Sequence, residues 1–313
     1  MSHVFRIATR QSKMALFQAN MVADALRALH SPHTFDLLPM TSEGCYDRFK
    51  GDLATIGGKG AFVRGLEKVM LVGDAHMAMH SLKDIPTDEE LPAGLTIPCV
   101  LPRDDNRDAV VCRVGESIKT LKAGSNIGTS SVRRAAQLKR LFPQHNIVAL
   151  RGNADTRVGK VDHGTVDAAI LTSSGLARIG LAHRITDIFE QTEMLPAVGQ
   201  GVIAVECPTN NPVVLDLLAR INHQPTFTCI TAERSMLTAL GGSCHTPIAG
   251  WCRFVNEATL ELKGLVASLD GQTMLTAQAQ GPASNPAALG AQVAASLLAQ
   301  GAREVLDACT AAA

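Results

Sequence analysis

Polar side chains follow directly on a short apolar run near residue 80, in Met79-His80-Ser81-Leu82-Lys83-Asp84-Ile85-Pro86. If that run is a strand of an open α/β sheet, these side chains lie at its carboxyl end, where such sheets bind ligands. Asp84 is the carboxylate among them, and a carboxylate in a ligand site transfers protons or stabilises a cation. An aspartate before an Ile-Pro pair is also common in turns, so both interpretations stay open here.

A second cluster combines hydroxyl and guanidinium groups, in Gly128-Thr129-Ser130-Ser131-Val132-Arg133-Arg134. The segment is typical of a strand end that runs into a helix. A helix start offers unpaired backbone N–H groups and the positive end of the helix dipole. Adjacent arginines oppose that dipole unless an anion is bound, so an anion site and a solvated helix face are the two interpretations.

Arginines also follow the later apolar runs of the same region, in Leu150-Arg151-Gly152-Asn153-Ala154-Asp155-Thr156-Arg157 and in Gly175-Leu176-Ala177-Arg178. Guanidinium forks bind carboxylates and phosphates through paired hydrogen bonds. We therefore predict a ligand with several carboxylates or phosphates, held in one cleft between two α/β units. Six arginines are expected to converge there: Arg10, Arg133, Arg134, Arg151, Arg157 and Arg178.

Two glycine-rich segments are candidate loops. Gly241-Gly242-Ser243-Cys244-His245-Thr246-Pro247 places Cys244 between a predicted helix and a predicted strand. The loop position favours an exposed cysteine capable of covalent chemistry, and a buried, inert cysteine is the alternative. Ile56-Gly57-Gly58-Lys59-Gly60 lacks the first glycine and the Ser/Thr of a nucleotide phosphate loop. It is better interpreted as a flexible loop before a helix at Ala61, with Lys59 as its charge.

Composition excludes several classes of protein. The 313 residues suggest two or three domains, each long enough to bury a core. Lys+Arg and Asp+Glu balance at 29 each and aromatic residues make up 4%, which argues against a nucleic-acid-binding protein. We find no secretory signal and no 18-residue apolar stretch, so we expect a cytoplasmic protein without membrane contact. The eight cysteines are scattered, which argues against a disulfide framework and a metal site.

Alternating apolar runs and amphipathic stretches must position these residues, and alternation predicts parallel sheets covered by helices. Beyond about residue 222 the rhythm changes to one helix, three extended runs and an Ala-rich helix, which predicts a small α+β domain. The predicted strands are Val4–Ala8, Thr34–Met40, His76–His80, Thr96–Leu101, Ala109–Cys112, Asn146–Leu150, Asp167–Leu171, Ile248–Phe254, Thr259–Ala267 and Thr273–Ala279. The predicted helices include one capped by Ser12 with Phe17, Met21, Val22, Leu26 and Leu29 on one face, one around Phe62, Leu66 and Met70, and Val132–Leu141, Thr226–Leu240 and Ala287–Ala299.

Together these motifs resemble those of the porphobilinogen deaminases, also called hydroxymethylbilane synthases, along essentially the whole chain. The resemblance implies two doubly wound α/β domains like those of two-lobed anion-binding proteins, plus a third domain with a three-stranded antiparallel sheet. The matching motifs are Arg6 to Ser12, Gly57 to Phe62, His80 to Pro86, Gly128 to Arg134, Leu150 to Asn153, Pro196 to Gly201, Ala232 to Arg234 and Cys244 to Pro247.

The resemblance also implies an activity. Family members are transferases that join four porphobilinogen molecules head to tail with release of ammonia, and hydrolysis then frees hydroxymethylbilane for tetrapyrrole synthesis. The primer is a dipyrromethane cofactor, which the resemblance places on Cys244 through a thioether. Each pyrrole carries an acetate and a propionate, which fits the predicted lining of arginines. Loss of ammonia leaves a cationic azafulvene, and Asp84 matches the catalytic aspartate that stabilises it.

Further residues match family positions. The resemblance implies cofactor contacts for Ser81, Lys83, Asp105, Thr129, Ser130, Ser131, Arg133 and Arg134. It implies substrate contacts for Arg10, Ser12, Arg151, Arg157, Arg178 and Gln200, and a mobile loop with Lys59 and Phe62. Three sites depart from the family pattern, namely Thr55, Gly241 to Ser243 and Asn106.

We expect three domains and a monomer. Residues 1–104 with 200–221 form the first predicted domain, residues 105–199 the second and residues 222–313 the third. The alternative from another class is a two-lobed protein that captures an anionic ligand without reacting with it, because fold alone does not decide function. The state of Cys244 distinguishes the two hypotheses, since a pure binding protein has no use for a tethered cofactor.

Overall fold

The computed structural model describes residues 2–40, 61–87, 91–113, 115–243 and 245–311. Lys59 and Cys244 lie outside these residues, and so do Thr55 and the side chain of Phe62. None of the helices in the described ranges combines the length and apolar character needed to cross a membrane.

The chain divides into two compact units. One contains Met1–Arg103 and Val202–Phe227, and the other contains Asp104–Gly201 and Thr228–Ala313. We refer to them as unit 1 and unit 2. The residue limits of the three predicted domains stay a prediction.

The described elements follow the predicted rhythm closely. The strands are β1 Val4–Arg10, β2 Thr34–Met40, β3 Met77–Ser81, β4 Leu95–Val100, β5 Asp108–Cys112, β6 Asn126–Gly128, β7 Asn146–Val148, β8 Ala168–Thr172, β9 Asp187–Ile188, β10 Ile203–Pro208, β11 Ile248–Asn256, β12 Thr259–Ala267 and β13 Met274–Pro282. The helices are α1 Lys13–Arg27, α2 Ala61–Leu71, α3 Val132–Leu141, α4 Ala154–Asp162, α5 Ser173–Arg178, α6 Pro212–Ile221, α7 Gln224–Ala239, α8 Pro286–Leu298 and α9 Ala302–Ala311, with 3₁₀ turns at Leu82–Asp84 and Ala182–Arg184.

Unit 1 is built on a five-stranded sheet in the order β2-β1-β3-β10-β4. Strand β1 pairs in parallel with β2 and β3, whereas β10 runs antiparallel to both β3 and β4. The sheet that the alternation predicts to be parallel is therefore mixed, with one antiparallel strand, β10. The antiparallel strand belongs to the segment that returns from unit 2, so no crossover helix sets its direction. Apolar side chains cover both sheet faces, with Ile7 in one cluster and Ala8 in the other.

Helix α1 begins where Ser12 accepts a hydrogen bond from the backbone N–H of Ala15, at 3.3 Å. Its buried face contains Ala15, Ala19, Val22 and Leu26, at the spacing of an amphipathic helix. Phe17 is exposed, so its predicted place on that face is wrong. Two residues correspond to about 200° of helix rotation, so Phe17 points away from a face that contains Ala15 and Ala19.

Unit 2 contains two sheets. The first has the order β7-β6-β8-β5-β9, with β6 parallel to β7 and β8, and β5 antiparallel to β8 and β9. The second is the antiparallel sheet β11-β12-β13, which forms one hydrophobic core with helices α7, α8 and α9. The predicted fold class, two α/β regions plus a region with a three-stranded antiparallel sheet, is confirmed.

Helix α3, which follows β6 of the first sheet, also packs against the antiparallel sheet of unit 2. Its Ala136 is fully buried and packs in a cluster with Ala249, Leu265 and Ala267 of the antiparallel sheet. At the β12–β13 turn, Gly271 has a φ of +74°, and a Cβ there would lie 2.5 Å from the carbonyl oxygen of Ala136. The hairpin tip therefore approaches α3 as closely as a glycine allows.

Candidate functional site

The carboxyl-end edge of the sheet in unit 1 carries several of the predicted residues. Because β1 and β3 are parallel, Arg10 at the end of β1 and Ser81 at the end of β3 lie at the same edge. Ser81 and Gln18 of α1 share a hydrogen bond of 3.1 Å. Ser12 caps α1 at this edge. Within unit 1, the structure thus brings together the residues that the sequence motifs singled out.

Asp84 ends the 3₁₀ turn that follows β3. Leu82 and Ile85 on either side of it are buried, and the backbone N–H of Leu82 donates to Val202 at 3.0 Å. The Asp84 side chain is exposed, and it has no hydrogen-bond or ion-pair partner among the described residues. Fixed backbone on both sides of an open carboxylate is an arrangement suited to proton transfer or cation stabilisation.

Behind this turn lies a buried polar pair. Nε2 of His80 and Oε2 of Glu206 are 2.9 Å apart, and both side chains are almost fully buried. Glu206 stands on β10, whose residue Ala204 pairs with His80. The pair fastens β3 to β10 directly before the turn that carries Asp84.

In unit 2, three parallel strands bring the arginine-bearing segments to one edge. Strand β6 leads to Thr129–Arg134, β7 leads to Arg151, and β8 leads to α5, which ends at Arg178. Parallel strands end at the same side of a sheet. The segments that carry five of the six predicted arginines therefore follow strands that end at one edge of this sheet. Arg10 belongs to unit 1, so convergence of all six on one cleft stays a prediction.

The start of α3 is held by its own hydroxyl groups. Ser131 caps the helix, accepting from the N–H of Arg134 at 3.4 Å, and the hydroxyl of Thr129 accepts from the N–H of Ser131 at 3.2 Å. Ser130 is exposed and donates to the carbonyl of Leu150 at 2.6 Å. These contacts fix the loop and leave Ser130 at the surface.

Arg133 and Arg134 point inward rather than to the surface. Arg133 donates to Asp108 at 2.8 Å and to the carbonyl of Leu195 at 2.7 Å. Arg134 donates to the same Asp108 at 2.7 and 3.1 Å and to the carbonyl of Ile170 at 3.1 Å. Asp108 is fully buried. This Asp108 cluster accounts for adjacent arginines at a helix start, which dipole arguments alone disfavour.

The charge balance of the Asp108 cluster is positive, because two guanidinium groups share one carboxylate. Burial raises the pKa of Asp108, but Arg133 and Arg134 outweigh it and hold that pKa well below its usual range. Burial lowers the pKa of Arg133, and repulsion from Arg134 adds to the effect although Asp108 opposes it. Burial and the charge of Arg134 also lower the pKa of Arg157. The Asp108 cluster and Arg157 beside it therefore have an excess of positive charge that an anionic ligand would neutralise.

Three other predicted contact residues have partners within unit 2. Gln200 is buried, and its amide donates to Asp108 at 2.8 Å. Asp105 accepts from Nε and Nη2 of Arg107, both at 3.0 Å. Arg178 donates to the carboxylate of Asp104 through Nη2 at 2.7 Å. Of the predicted substrate arginines in this unit, Arg151 is exposed, and no hydrogen bond or ion pair of its guanidinium appears among the described residues.

Sequence reasoning did not identify Asp104 and Asp108, the acidic partners of the predicted arginines. The signal is present in Arg103-Asp104-Asp105-Asn106-Arg107-Asp108, a charged run that leads straight into the apolar strand β5. A strand that begins with an aspartate and continues as Ala-Val-Val-Cys is expected to bury that aspartate. A buried aspartate requires cationic partners, and the adjacent arginines of α3 are the natural candidates.

Cys244 follows α7 in the chain and precedes β11. Among the described residues near it, the hydroxyl of Thr246 donates to the carbonyl of Ser243 at 2.7 Å and accepts from the N–H of Ser243 at 2.9 Å. The cysteines that the structure describes, which do not include Cys244, are buried thiols. Burial raises the pKa of Cys99 and of Cys207 to about 12, which makes these two thiols poor nucleophiles.

Fold and site together define a class, that of α/β proteins with arginine-lined sheet edges suited to a ligand with several carboxylates. Comparison with known families specifies it further. The family model "Porphobilinogen deaminase, dipyromethane cofactor binding domain" matches residues 5–216, and "Porphobilinogen deaminase, C-terminal domain" matches residues 227–299. The chain belongs to the porphobilinogen deaminase family.

Curated relatives bear the same name. A porphobilinogen deaminase of Synechococcus elongatus is 43% identical over 305 residues, which are 96% of this chain and 94% of that protein. One of Thiobacillus denitrificans is 42% identical over 307 residues, covering 98% and 99%. Among solved structures, a periplasmic substrate-binding protein of an ABC transporter from Coxiella burnetii is similar, at 13% identity and a TM-score of 0.43, covering 69% of this chain and 91% of that one.

Proposed function

We propose that this protein is a transferase that joins four porphobilinogen molecules head to tail and hydrolytically releases hydroxymethylbilane, a step in tetrapyrrole synthesis. The observation that carries the proposal is family membership, with 43% identity to a named porphobilinogen deaminase over 96% of the chain. At each step the protonated aminomethyl group loses ammonia as its carbon–nitrogen bond breaks, and a carbon–carbon bond to the next pyrrole forms. The proton displaced from that pyrrole carbon passes to Asp84 and then to solvent.

Asp84 is the proposed catalytic residue. When the aminomethyl group loses ammonia, positive charge develops on the substrate, and a nearby carboxylate stabilises it. The same carboxylate accepts the proton that the attacking pyrrole carbon gives up. Its exposed position on a turn held by buried Leu82 and Ile85 supports this role. Lys83 and Ser81 beside it are proposed to contact the cofactor.

The family model implies a dipyrromethane cofactor, and the residues of unit 2 fit a group with several carboxylates. The excess positive charge around Arg134 and Arg157 is one observation. Another is Nε of Arg133, which is buried and has no hydrogen-bond partner among the described residues. When bound, the group supplies the pyrrole carbon to which the first substrate is joined. We propose that Cys244 holds it through a thioether and that its carboxylates contact Thr129, Ser130, Ser131, Arg133 and Arg134. Asp105 is proposed to contact a part of the group other than its carboxylates, because two carboxylates repel each other.

The remaining arginines are proposed to bind the carboxylates of the substrate. Arg151 is exposed, and Arg157 is half-buried with its Nε on the carbonyl of Gly152 at 2.8 Å. Both therefore have donors left for a ligand. Arg10 and Ser12 are proposed to act from the edge of unit 1. Gln200 acts indirectly, because its amide is engaged by Asp108.

The proposal also covers the cellular compartment, the oligomeric state and the loop that contains Lys59 and Phe62. Family resemblance favours a cytoplasmic monomer with three domains, 1–104 with 200–221, 105–199 and 222–313. It also favours Lys59 and Phe62 as parts of a loop that covers the active site.

The test is a turnover assay of the purified protein with porphobilinogen. We expect one ammonia released for each porphobilinogen consumed and one hydroxymethylbilane formed for every four. Saturable binding of porphobilinogen without its consumption would contradict the proposal and favour a protein that captures anions without reaction.

A further inference from the structure

Arg178, which we propose as a substrate-binding residue, forms an ion pair with Asp104. The Asp104 carboxylate occupies the edge of the guanidinium group that binds carboxylates. Both Nε and Nη2 of Arg178 donate to the same oxygen, Oδ2 of Asp104, at 3.0 and 2.7 Å. That edge of a guanidinium is one that recognises carboxylates in bidentate fashion. Asp104 therefore holds the position that a substrate carboxylate would take.

Solvent reaches this pair from the Asp104 side. The Arg178 side chain is 8% exposed, whereas that of Asp104 is 37% exposed. A ligand that approaches from solvent meets the aspartate first. Because the arginine itself is nearly covered, a ligand carboxylate gains Nε and Nη2 only by replacing the Asp104 carboxylate.

The carboxylate of the Asp108 cluster lacks this exposure. Asp108 is 0% exposed, and its two guanidinium partners are 4% and 7% exposed. Breaking that pair would leave a charge buried without a partner. The Asp104 carboxylate, in contrast, has water available when it leaves Arg178, so its release is far less costly.

The backbone of Asp104 cannot move with its side chain. Its N–H donates to the carbonyl of Gly201 at 3.0 Å. Gly201 has a φ of +83°, and a Cβ there would lie 2.7 Å from the carbonyl oxygen of Asp104. The exchange therefore requires only rotation of the short aspartate side chain, at the point where the chain enters unit 2.

We propose that Asp104 is an internal competitor for the substrate, a carboxylate that must leave Arg178 before a porphobilinogen carboxylate binds there. The inference rests on the proposed function and adds a residue that sets substrate affinity. A protein whose binding-competent state is only partly populated binds its ligand more weakly by that fraction. Removing the charge of Asp104 is therefore expected to tighten substrate binding.

The test is calorimetric titration of porphobilinogen into the full-length Asp84→Asn protein, in which turnover is expected to be slowed by orders of magnitude. Adding Asp104→Asn is expected to lower the dissociation constant by about threefold or more, because the competitor loses its charge. Adding Asp104→Glu, which keeps the charge, is expected to leave it near that of Asp84→Asn alone. In the otherwise native enzyme, Asp104→Asn is expected to lower KM with little change in kcat.

Asp162→Asn is the matched control. Asp162 forms an ion pair with Arg184 in the same unit, at 2.6 and 2.9 Å, and neither is a proposed site residue. It should leave the dissociation constant unchanged. Asp104→Ser repeats the test if Asp104→Asn does not fold. Unchanged or weaker binding in folded Asp104→Asn or Asp104→Ser, or binding tightened equally by Asp104→Glu, overturns the exchange alone. Absence of porphobilinogen binding in every variant, with no turnover in the native protein, contradicts the proposed function and the exchange with it.

Discussion

Two aspartates of this molecule, Asp84 and Asp108, have opposite surroundings. Asp84 is exposed on a turn of unit 1 and has no partner among the described residues, whereas Asp108 is buried in unit 2 between two guanidinium groups. An open carboxylate is free to meet a substrate, and a buried, paired one is committed to the fold. The comparison separates the residue proposed for chemistry from the residue that holds the arginines in place.

The largest effect is expected from Asp84→Asn. Asparagine keeps the shape and loses the charge, so turnover of porphobilinogen should fall by about 10²- to 10⁴-fold, the usual contribution of a positioned acid or base. The melting temperature should stay close to that of the native protein because the side chain is exposed. Asp216→Asn, at another exposed aspartate of unit 1, is the control and should leave turnover unchanged. Near-native turnover of Asp84→Asn would refute the assignment.

Asp108→Asn should mainly lower the free energy of unfolding, in contrast to Asp84→Asn, which should mainly lower turnover. Removing one partner of a buried ion pair destabilises a protein by about 3–5 kcal/mol. Asp162→Asn, the matched change at the exposed Asp162–Arg184 pair, should lower the free energy of unfolding by less than about 1 kcal/mol. Urea unfolding of both variants measures the difference. Equal effects of the two substitutions would mean that the Asp108 cluster does not stabilise unit 2.

A smaller effect is expected where the third sheet meets α3. Gly271→Ala introduces a Cβ 2.5 Å from the backbone oxygen of Ala136, in addition to the strain of a positive φ. Gly164→Ala is a matched control, because Gly164 has a φ of +70° and nothing within 4 Å of its Cβ position. Positive φ alone costs about 1–2 kcal/mol, and Gly271→Ala should cost more than the control. Similar unfolding midpoints would show that the hairpin tip does not press on α3.

The smallest expected effect is a change of stability with pH, which should occur in different pH ranges for unit 1 and unit 2. Burial, with the charges of Arg6 and His3, lowers the pKa of His76 from its ordinary 6.5. The unfolded state then binds more protons below pH 6.5, so unit 1 loses stability as the pH falls through that value. The pKa of Asp108 is lowered from 3.8, so its contribution is present above that value and is lost as the pH falls further.

Unfolding measured from pH 7 to pH 3 checks this order. His76→Gln should remove part of the loss near pH 6, and Asp108→Asn should flatten only the loss below about pH 4. Loss of stability near pH 6 that His76→Gln leaves unchanged would contradict the assignment to unit 1.

Much of the fold could be predicted because its signals are local. The apolar run Thr259–Ala267 and the cap at Ser12 depend on neighbouring residues, and both predictions are confirmed. The antiparallel direction of β10 could not be predicted, because it depends on a chain that leaves for unit 2 and returns. Arg133 and Arg134 were predicted as ligand contacts. Their partner Asp108 lies 25 and 26 residues earlier, and the charged run before β5 indicates a buried aspartate but not which cations pair with it.

The most direct measurement of the central claim is the intact mass of the purified protein beside that of a Cys244→Ala variant prepared in the same way. The account predicts an excess mass of two linked pyrrole units on the native chain and none on the variant. Polypeptide mass alone in both proteins, unchanged after incubation with porphobilinogen, would contradict the tethered primer and favour an anion-binding protein that performs no reaction.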